Sequence, residues 1–111
     1  MRRARARRGD VYWVALDPVI GKEIQKTRPA IVVSNDAMNQ HGARVVVVPV
    51  TSNVDQCHPG EALVTIKGKP ARALGDQLRS IDKARLSGKV DTLVVSEMQD
   101  VESALRITLA L

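Results

Sequence analysis

Apolar and polar residues sort this chain into short blocks. Residues 11–16 mix β-branched, aromatic and aliphatic side chains behind a Gly9-Asp10 turn signal, and predict a strand. Two continuous apolar runs follow, Ala30-Ile31-Val32-Val33 and Val45-Val46-Val47-Val48-Pro49-Val50. Runs of that length and β-branched content are strands buried on both faces. Pro49 has no N–H to give a ladder, so the second run must meet a sheet edge or a bulge there. Between the runs, residues 35–40 have the pattern of a short helical turn capped by Ser34 or Asn35. Residues 62–66 predict a further strand, ended by Lys67-Gly68-Lys69-Pro70. Residues 71–82 fit two short strands or one bent strand around Gly75, and residues 90–93 are ambiguous.

The C-terminus switches to a helical period. Ser96 with Gln99 matches a capping box. Glu97, Asp100 and Glu102 fall in the first turns, where they complement the helix dipole. Met98, Val101, Leu105, Thr108 and Leu109 form one stripe. Several short strands and one terminal helix define an α+β, mainly β class: a small, strongly bent sheet or barrel. In a chain of 12.1 kDa the stripe has little core to pack on. A homodimer that buries residues 107–111 is therefore expected.

The polar blocks carry the candidate chemistry. Residues 17–27 form a long loop, a length associated with function in compact domains, and residues 53–60 form a second, with His58-Pro59-Gly60 as a turn. Arg28-Pro29 stands at the mouth of the first apolar run, and Thr51-Ser52-Asn53 closes the second. If those strands are adjacent and antiparallel, Arg28 and Thr51 emerge on the same edge of the sheet. A fixed guanidinium beside a hydroxyl is a phosphate-binding pair, which points to RNA or nucleotide chemistry. Plainer readings exist for each residue alone: a surface ion pair between Arg28 and Glu23, and a turn hydroxyl at Thr51 bonded to its own backbone.

Composition narrows the picture. At 111 residues one domain is expected, with residues 1–8 as a basic, flexible arm and residues 9–111 as the body. No apolar run approaches the ~20 residues of a membrane span. The basic start resembles a signal-peptide n-region, but the apolar stretch behind it is too short for a leader. The lone Cys57 has no internal disulfide partner, and a cytoplasmic protein is expected. The net charge of +5 is carried by five arginines in residues 1–8, because residues 9–111 hold 12 basic and 12 acidic side chains. Within that body residues 22–89 are basic and residues 90–111 acidic, so the middle of the chain is the candidate anion face. The arginine arm is a second nucleic-acid contact or a solvated tail.

Other candidates carry less. His41 and His58 could run an RNA cleavage as acid and base. They sit in polar loops beside Gly and Pro, though, and their spacing of 17 residues matches no metal motif. Cys57 next to His58 is no nucleophile pair by itself. Tyr12 and Trp13 are the two aromatic residues. Strand alternation puts them on opposite faces, one ring for the core and the other for base stacking.

Four segments together carry a resemblance: Arg8-Gly9-Asp10-Val11-Tyr12-Trp13; Gly21-x-Glu23 with Arg28-Pro29-Ala30 and its apolar run; Val48-Pro49-Val50-Thr51-Ser52; and Asp76-Gln77-Leu78-Arg79-Ser80-Ile81-Asp82. In this order and spacing the chain resembles the MazF/PemK toxin endoribonucleases over residues 8–111. The resemblance implies a small SH3-like barrel of the CcdB/MazF type with a long C-terminal helix, working as a homodimer. It implies metal-independent cleavage of single-stranded RNA at short specific sequences, without a cofactor, to 2′,3′-cyclic phosphate and 5′-hydroxyl ends. A cognate, MazE-like antitoxin would bind through its C-terminal segment. The family's catalytic pair falls on Arg28 and Thr51. Glu23 and Gln77 fall at the RNA groove, with Lys22, Ser52, Asn53 and Asp76 as neighbouring substrate contacts. The base that takes the 2′-hydroxyl proton stays unassigned, since arginine holds its proton too tightly for that role at neutral pH. Two rivals are a CcdB-like gyrase poison on the same barrel and a plain nucleic-acid-binding barrel.

Overall fold

The computed structural model describes residues 5–16 and 27–111. Long apolar runs become the centre of the sheet: β1 (Asp10–Ala15), β2 (Thr27–Val32) and β3 (Arg44–Thr51) lie side by side and antiparallel. β4 (Glu61–Ile66) and β5 (Lys69–Leu74) form a hairpin that adds to β3 on one side. β7 (Leu86–Thr92) pairs with β1 on the other, giving the order β4-β5-β3-β2-β1-β7. β6 (Arg79–Asp82) also pairs with β3, and 3-10 turns at Gly75–Gln77 and Lys83–Arg85 flank it. The result is the curled, mostly antiparallel sheet with a C-terminal helix, α2 (Val95–Leu109), that the sequence predicts.

Both faces of the central strands are buried, as continuous apolar runs require. Val11, Ile31, Val33, Val48 and Val50 face one cluster, closed by the β4–β5 hairpin and by Met98, Val101 and Ala104 of α2. Tyr12, Val14, Ala30, Val32, Val45 and Val47 face the other, closed by Ile81 and Leu86. Ala6 packs into this second cluster at 3% exposure, and Arg8 pairs with Glu102 at 2.7 Å, so residues 6–8 lie against the body.

Pro49 is tolerated in the middle of a central strand for a specific reason. β6 pairs with β3 over Arg44–Val47, and β5 takes over at Val50 and Thr51. Pro49 occupies the gap where β3 changes partners, so its missing N–H leaves no ladder bond unmade. Between the two flanking strands this position is locally an edge, and the sheet curls there.

Residues 71–82 resolve into two strands, and the β4–β5 turn that the sequence reads only as a strand end is a two-residue hairpin. Lys67 and Gly68 both have positive φ, 52° and 75°, the requirement of a type I′ turn. Asp91 holds the strained lysine by accepting from its N–H at 2.8 Å. At the far end of the hairpin Gly75 has no substitute, since a Cβ there would sit 2.2 Å from the Gly60 carbonyl oxygen.

The helices follow the sequence with one correction. α1 (Asp36–His41) is capped by Asn35, whose side chain accepts from Met38 N at 2.8 Å. In α2 the capping box over Ser96 and Gln99 is not used: Val94 holds the N-cap position and contributes no side-chain bond. Docking sets the start instead. Leu93 is buried and donates to the Gly9 carbonyl at 2.9 Å, so the chain leaves the sheet straight into the helix. The Glu97 carboxylate accepts from the Thr65 N–H and hydroxyl, tying α2 to β4. Of the stripe, Met98 and Val101 are buried, joined by Ala104, and Leu105 is half-buried, but Thr108 and Leu109 are exposed, and Ile107, Leu109 and Leu111 are 60%, 49% and 84% exposed. Among the described residues no helix is long and apolar enough to cross a membrane.

Candidate functional site

β2 and β3 bring Arg28 and Thr51 together. Ala30 pairs with Pro49, Ile31 with Val48 and Val32 with Val47. The paired register ends there, and Arg28 and Thr51 lie two positions beyond it, towards the strand ends. Thr51 pairs with Arg72 of β5. Arg28 and Thr51 are both half-buried.

Both residues border a cleft of about 460 Å³. Ser52 borders it too, and its opposite wall is the β4–β5 turn with Lys67, Lys69 and Pro70. Trp13, 43% exposed, contributes an accessible ring, while Tyr12 is buried, as strand alternation requires. Four of the lining residues, Arg28, Lys67, Lys69 and Trp13, offer charge and an aromatic face, and among the described residues no carboxylate lines the cleft. This suits an anionic, base-bearing ligand.

Thr51 combines the plain reading with the functional one. Its Oγ1 accepts from Asn53 N at 3.3 Å, a turn bond at the strand end. That bond fixes the hydroxyl as an acceptor from one side and leaves its O–H to donate. Asn53 in turn accepts from Asp55 N at 3.1 Å and lines a neighbouring polar cavity with Gln56, His58, Glu61 and Arg72. Arg72 ties that loop down: its Nη1 donates to the Gln56 carbonyl and lies 3.7 Å from Glu61 Oε1. Glu61 accepts from His58 N at 2.9 Å. Among the described residues Arg72 Nε is buried without a hydrogen-bond partner. The loop that begins at the Thr51 hydroxyl is thus fixed by Arg72, whose role only the β3–β5 register reveals.

The remaining candidates are spread out. Lys22 and Glu23 lie outside the described residues. Asp76 is exposed and Gln77 half-buried in the 3-10 turn after β5, which packs against β3 and α2 but does not line the cleft. Lys67 and Lys69 were not singled out from the sequence. Lys-Gly between two alternating strands is the signal that could have placed them, as a hairpin turn. His41 and His58 lie far apart along the fold, in α1 and in the 53–60 loop. Among the described residues no three His, Cys, Asp or Glu side chains are grouped to hold a metal ion.

Asp91 anchors the cleft's hairpin wall. Its carboxyl is held below the usual carboxylate range, first by the Lys67 N–H and next by its bond from the Thr92 N–H. A hydrogen bond to the charged form lowers a carboxyl pKa in this way.

Fold and cleft together define a small curled-sheet protein with a cationic, aromatic-flanked cleft at the strand ends. The chain belongs to the PemK-like, MazF-like toxins of type II toxin–antitoxin systems, whose family model matches residues 7–109. It is 37% identical over 114 residues to the endoribonuclease MazF9 of Mycobacterium tuberculosis, covering 95% of this chain and 97% of that protein. The crystal structure of MazF from Deinococcus radiodurans superposes with a TM-score of 0.85 at 25% identity, covering 97% of this chain and 99% of that one. The MazE–MazF crystal structure from the same organism gives 0.76 at 26% identity, covering 97% and 98%.

Proposed function

We propose that this chain is a metal-independent, sequence-specific endoribonuclease, the toxin of a toxin–antitoxin pair, that cuts single-stranded RNA to 2′,3′-cyclic phosphate and 5′-hydroxyl ends. The observation that carries the reading is that Arg28 and Thr51 border the same cationic cleft. In the reaction the 2′-oxygen bonds to the neighbouring phosphorus as the bond to the 5′-oxygen breaks. Negative charge gathers on the non-bridging oxygens. The Arg28 guanidinium and the Thr51 O–H are donors of the type that stabilises this charge. Arg28 also suits protonation of the departing 5′-oxygen, and the base that accepts the 2′-proton is left unassigned.

The neighbouring groups take supporting roles. Trp13 offers a stacking face for one base, and Lys67 and Lys69 offer charge for the backbone. Ser52 and Asn53 would meet the substrate at the edge of the 53–60 loop, with Lys22, Glu23, Asp76 and Gln77 as further contacts. Residues 9–111 form the catalytic domain in this reading and residues 1–8 a basic arm. The working unit is a cytoplasmic homodimer, for which the exposed Ile107, Leu109 and Leu111 supply an apolar surface. A MazE-like antitoxin inhibits it, as the MazE–MazF complex from Deinococcus radiodurans suggests.

Conditional expression tests the reading against a gyrase poison and a plain nucleic-acid binder. The nuclease arrests growth as wild type and loses toxicity as Arg28→Ala, with the variant still folded. Equal toxicity of the two proteins would remove Arg28 from the mechanism and favour a poison acting through α2.

A further inference from the structure

At the opposite end of β3 from Thr51 lies a second cavity, of about 430 Å³. Arg5, Arg7, His41 and Lys83 line it, together with Asn39 and Gly42, and none of its described lining residues is a carboxylate. Its position is set by backbone: Lys83 N donates to the Ala43 carbonyl at 3.0 Å, just before β3 begins at Arg44. Seven residue steps separate Arg44 from Thr51, so the two ends of β3 are roughly 23 Å apart at ~3.3 Å per residue. The cavity is therefore separate from the cleft.

Lys83 is its most telling residue. It is 5% exposed, and among the described residues no hydrogen bond or ion pair reaches its ammonium. Its ammonium is not among the buried atoms that lack a partner, so the charge at the end of this mostly covered side chain meets open space. The nearby carboxylates are committed elsewhere. Asp36 accepts from Arg8 N and from the Asn39 side chain. Its carboxyl is held below the usual range by those two bonds first and by the Arg7 and Arg8 charges after them. Asp10 accepts from Arg7 N and Thr92 Oγ1 and pairs with Lys89. Arg8 is engaged by Glu102. Asn39 is a rigid wall: its amide bonds Ser34 and Asp36. Arg5, Arg7 and Lys83 are left converging on one cavity without a carboxylate in its lining.

We infer that this cavity is a second anion site, built for a phosphate group, with Lys83 at its floor and Arg5 and Arg7 at its rim. Two guanidinium forks and an ammonium match the several acceptor oxygens of a phosphate. The volume falls in the ~300–1,000 Å³ range of small-molecule sites. The phosphate comes from a free phosphorylated ligand or from a nucleic-acid backbone.

The test is titration of full-length protein at constant ionic strength with two probes, inorganic phosphate and a short single-stranded DNA, which lacks the 2′-hydroxyl and stays uncut. Amide signals of Gly42 and Lys83 report the site. They are expected to move with at least one probe, in wild type and in Arg28→Ala alike, and Lys83→Met should weaken that binding tenfold or more. Movement with inorganic phosphate identifies a free ligand as sufficient; movement with the oligonucleotide alone identifies a backbone phosphate. If Lys83→Met does not fold, Arg5→Gln with Arg7→Gln on the rim takes its place and should weaken binding by a similar factor. Unmoved Gly42 and Lys83 signals with both probes, or unchanged affinity in the folded variants, would overturn the inference. The cleft reading stands or falls separately.

Discussion

Arg28 and Thr51 border one cleft, carried by two strands that are paired as far as Ala30–Pro49. Neither residue is carried by a loop; both sit on strands whose apolar residues are mostly buried. A guanidinium and a hydroxyl held this way are preorganised, so little rearrangement is needed when charge develops between them. Loss of such a donor typically costs ~10²–10³ in rate. Arg28→Ala is expected to fall in that range, and Thr51→Ala to lose on the order of 10²-fold, with Thr51→Ser recovering part of the loss. Single-turnover cleavage of a defined RNA measures all three, and circular dichroism checks that the fold is intact.

Trp13 separates binding from chemistry. Its ring is accessible at the cleft and contributes little to the core. Stacking of a base on an aromatic side chain is worth ~1–3 kcal/mol. Trp13→Ala should therefore weaken RNA affinity by about 5- to 150-fold, with a smaller effect on the single-turnover rate at saturation. Fluorescence anisotropy with an RNA blocked at its 2′-hydroxyls measures the first, and stopped-time cleavage the second.

Acid should loosen the cleft wall. Asp91 has a folded-state pKa below the ordinary ~3.9 of an aspartate. A depressed carboxyl contributes stability that is complete above the unfolded value and is lost as pH falls through the folded one. Asp36 shares that sign. Thermal melting is thus expected to decline below about pH 4, and Asp91→Asn should flatten part of that decline while lowering the melting temperature at pH 7. Melting curves between pH 2 and 7 on both proteins test this.

Gly75 is a packing prediction. A Cβ there would meet backbone at 2.2 Å, a carbonyl that cannot swing aside like a flexible side chain. Gly75→Ala is expected to destabilise by ~1–3 kcal/mol, the usual cost of overpacking. Urea unfolding gives the value, and an unchanged midpoint would mean that the Gly60–Gly75 approach is not tight in solution.

Much of this was legible in the chain because apolar runs report burial directly. Ala30 to Val33 and Val45 to Val50 gave the central strands, and their ends gave Arg28 and Thr51. What stayed hidden depends on pairing that no local pattern encodes. Pro49 fits because β3 changes partners around it, and nothing near Pro49 announces β5 and β6. Arg72 could not be tied to Thr51 before β5 was in register. Ser96 and Gln99 carried a helix-start pattern that tertiary docking of Leu93 overrode. The resemblance of four short segments to known toxins supplied roles that neither periodicity nor charge could assign, and Lys67 and Lys69 entered the cleft only once the turn between them was seen.

The most direct measurement is a cleavage assay on a long single-stranded RNA in excess EDTA, wild type against Arg28→Ala, with the product ends analysed. Discrete fragments with 2′,3′-cyclic phosphate and 5′-hydroxyl ends, absent with the variant, are the predicted result and would also reveal the sequence cut. RNA left intact across varied sequences, or cut equally by a folded Arg28→Ala protein, would contradict the assignment of the cleft as a metal-independent nuclease site.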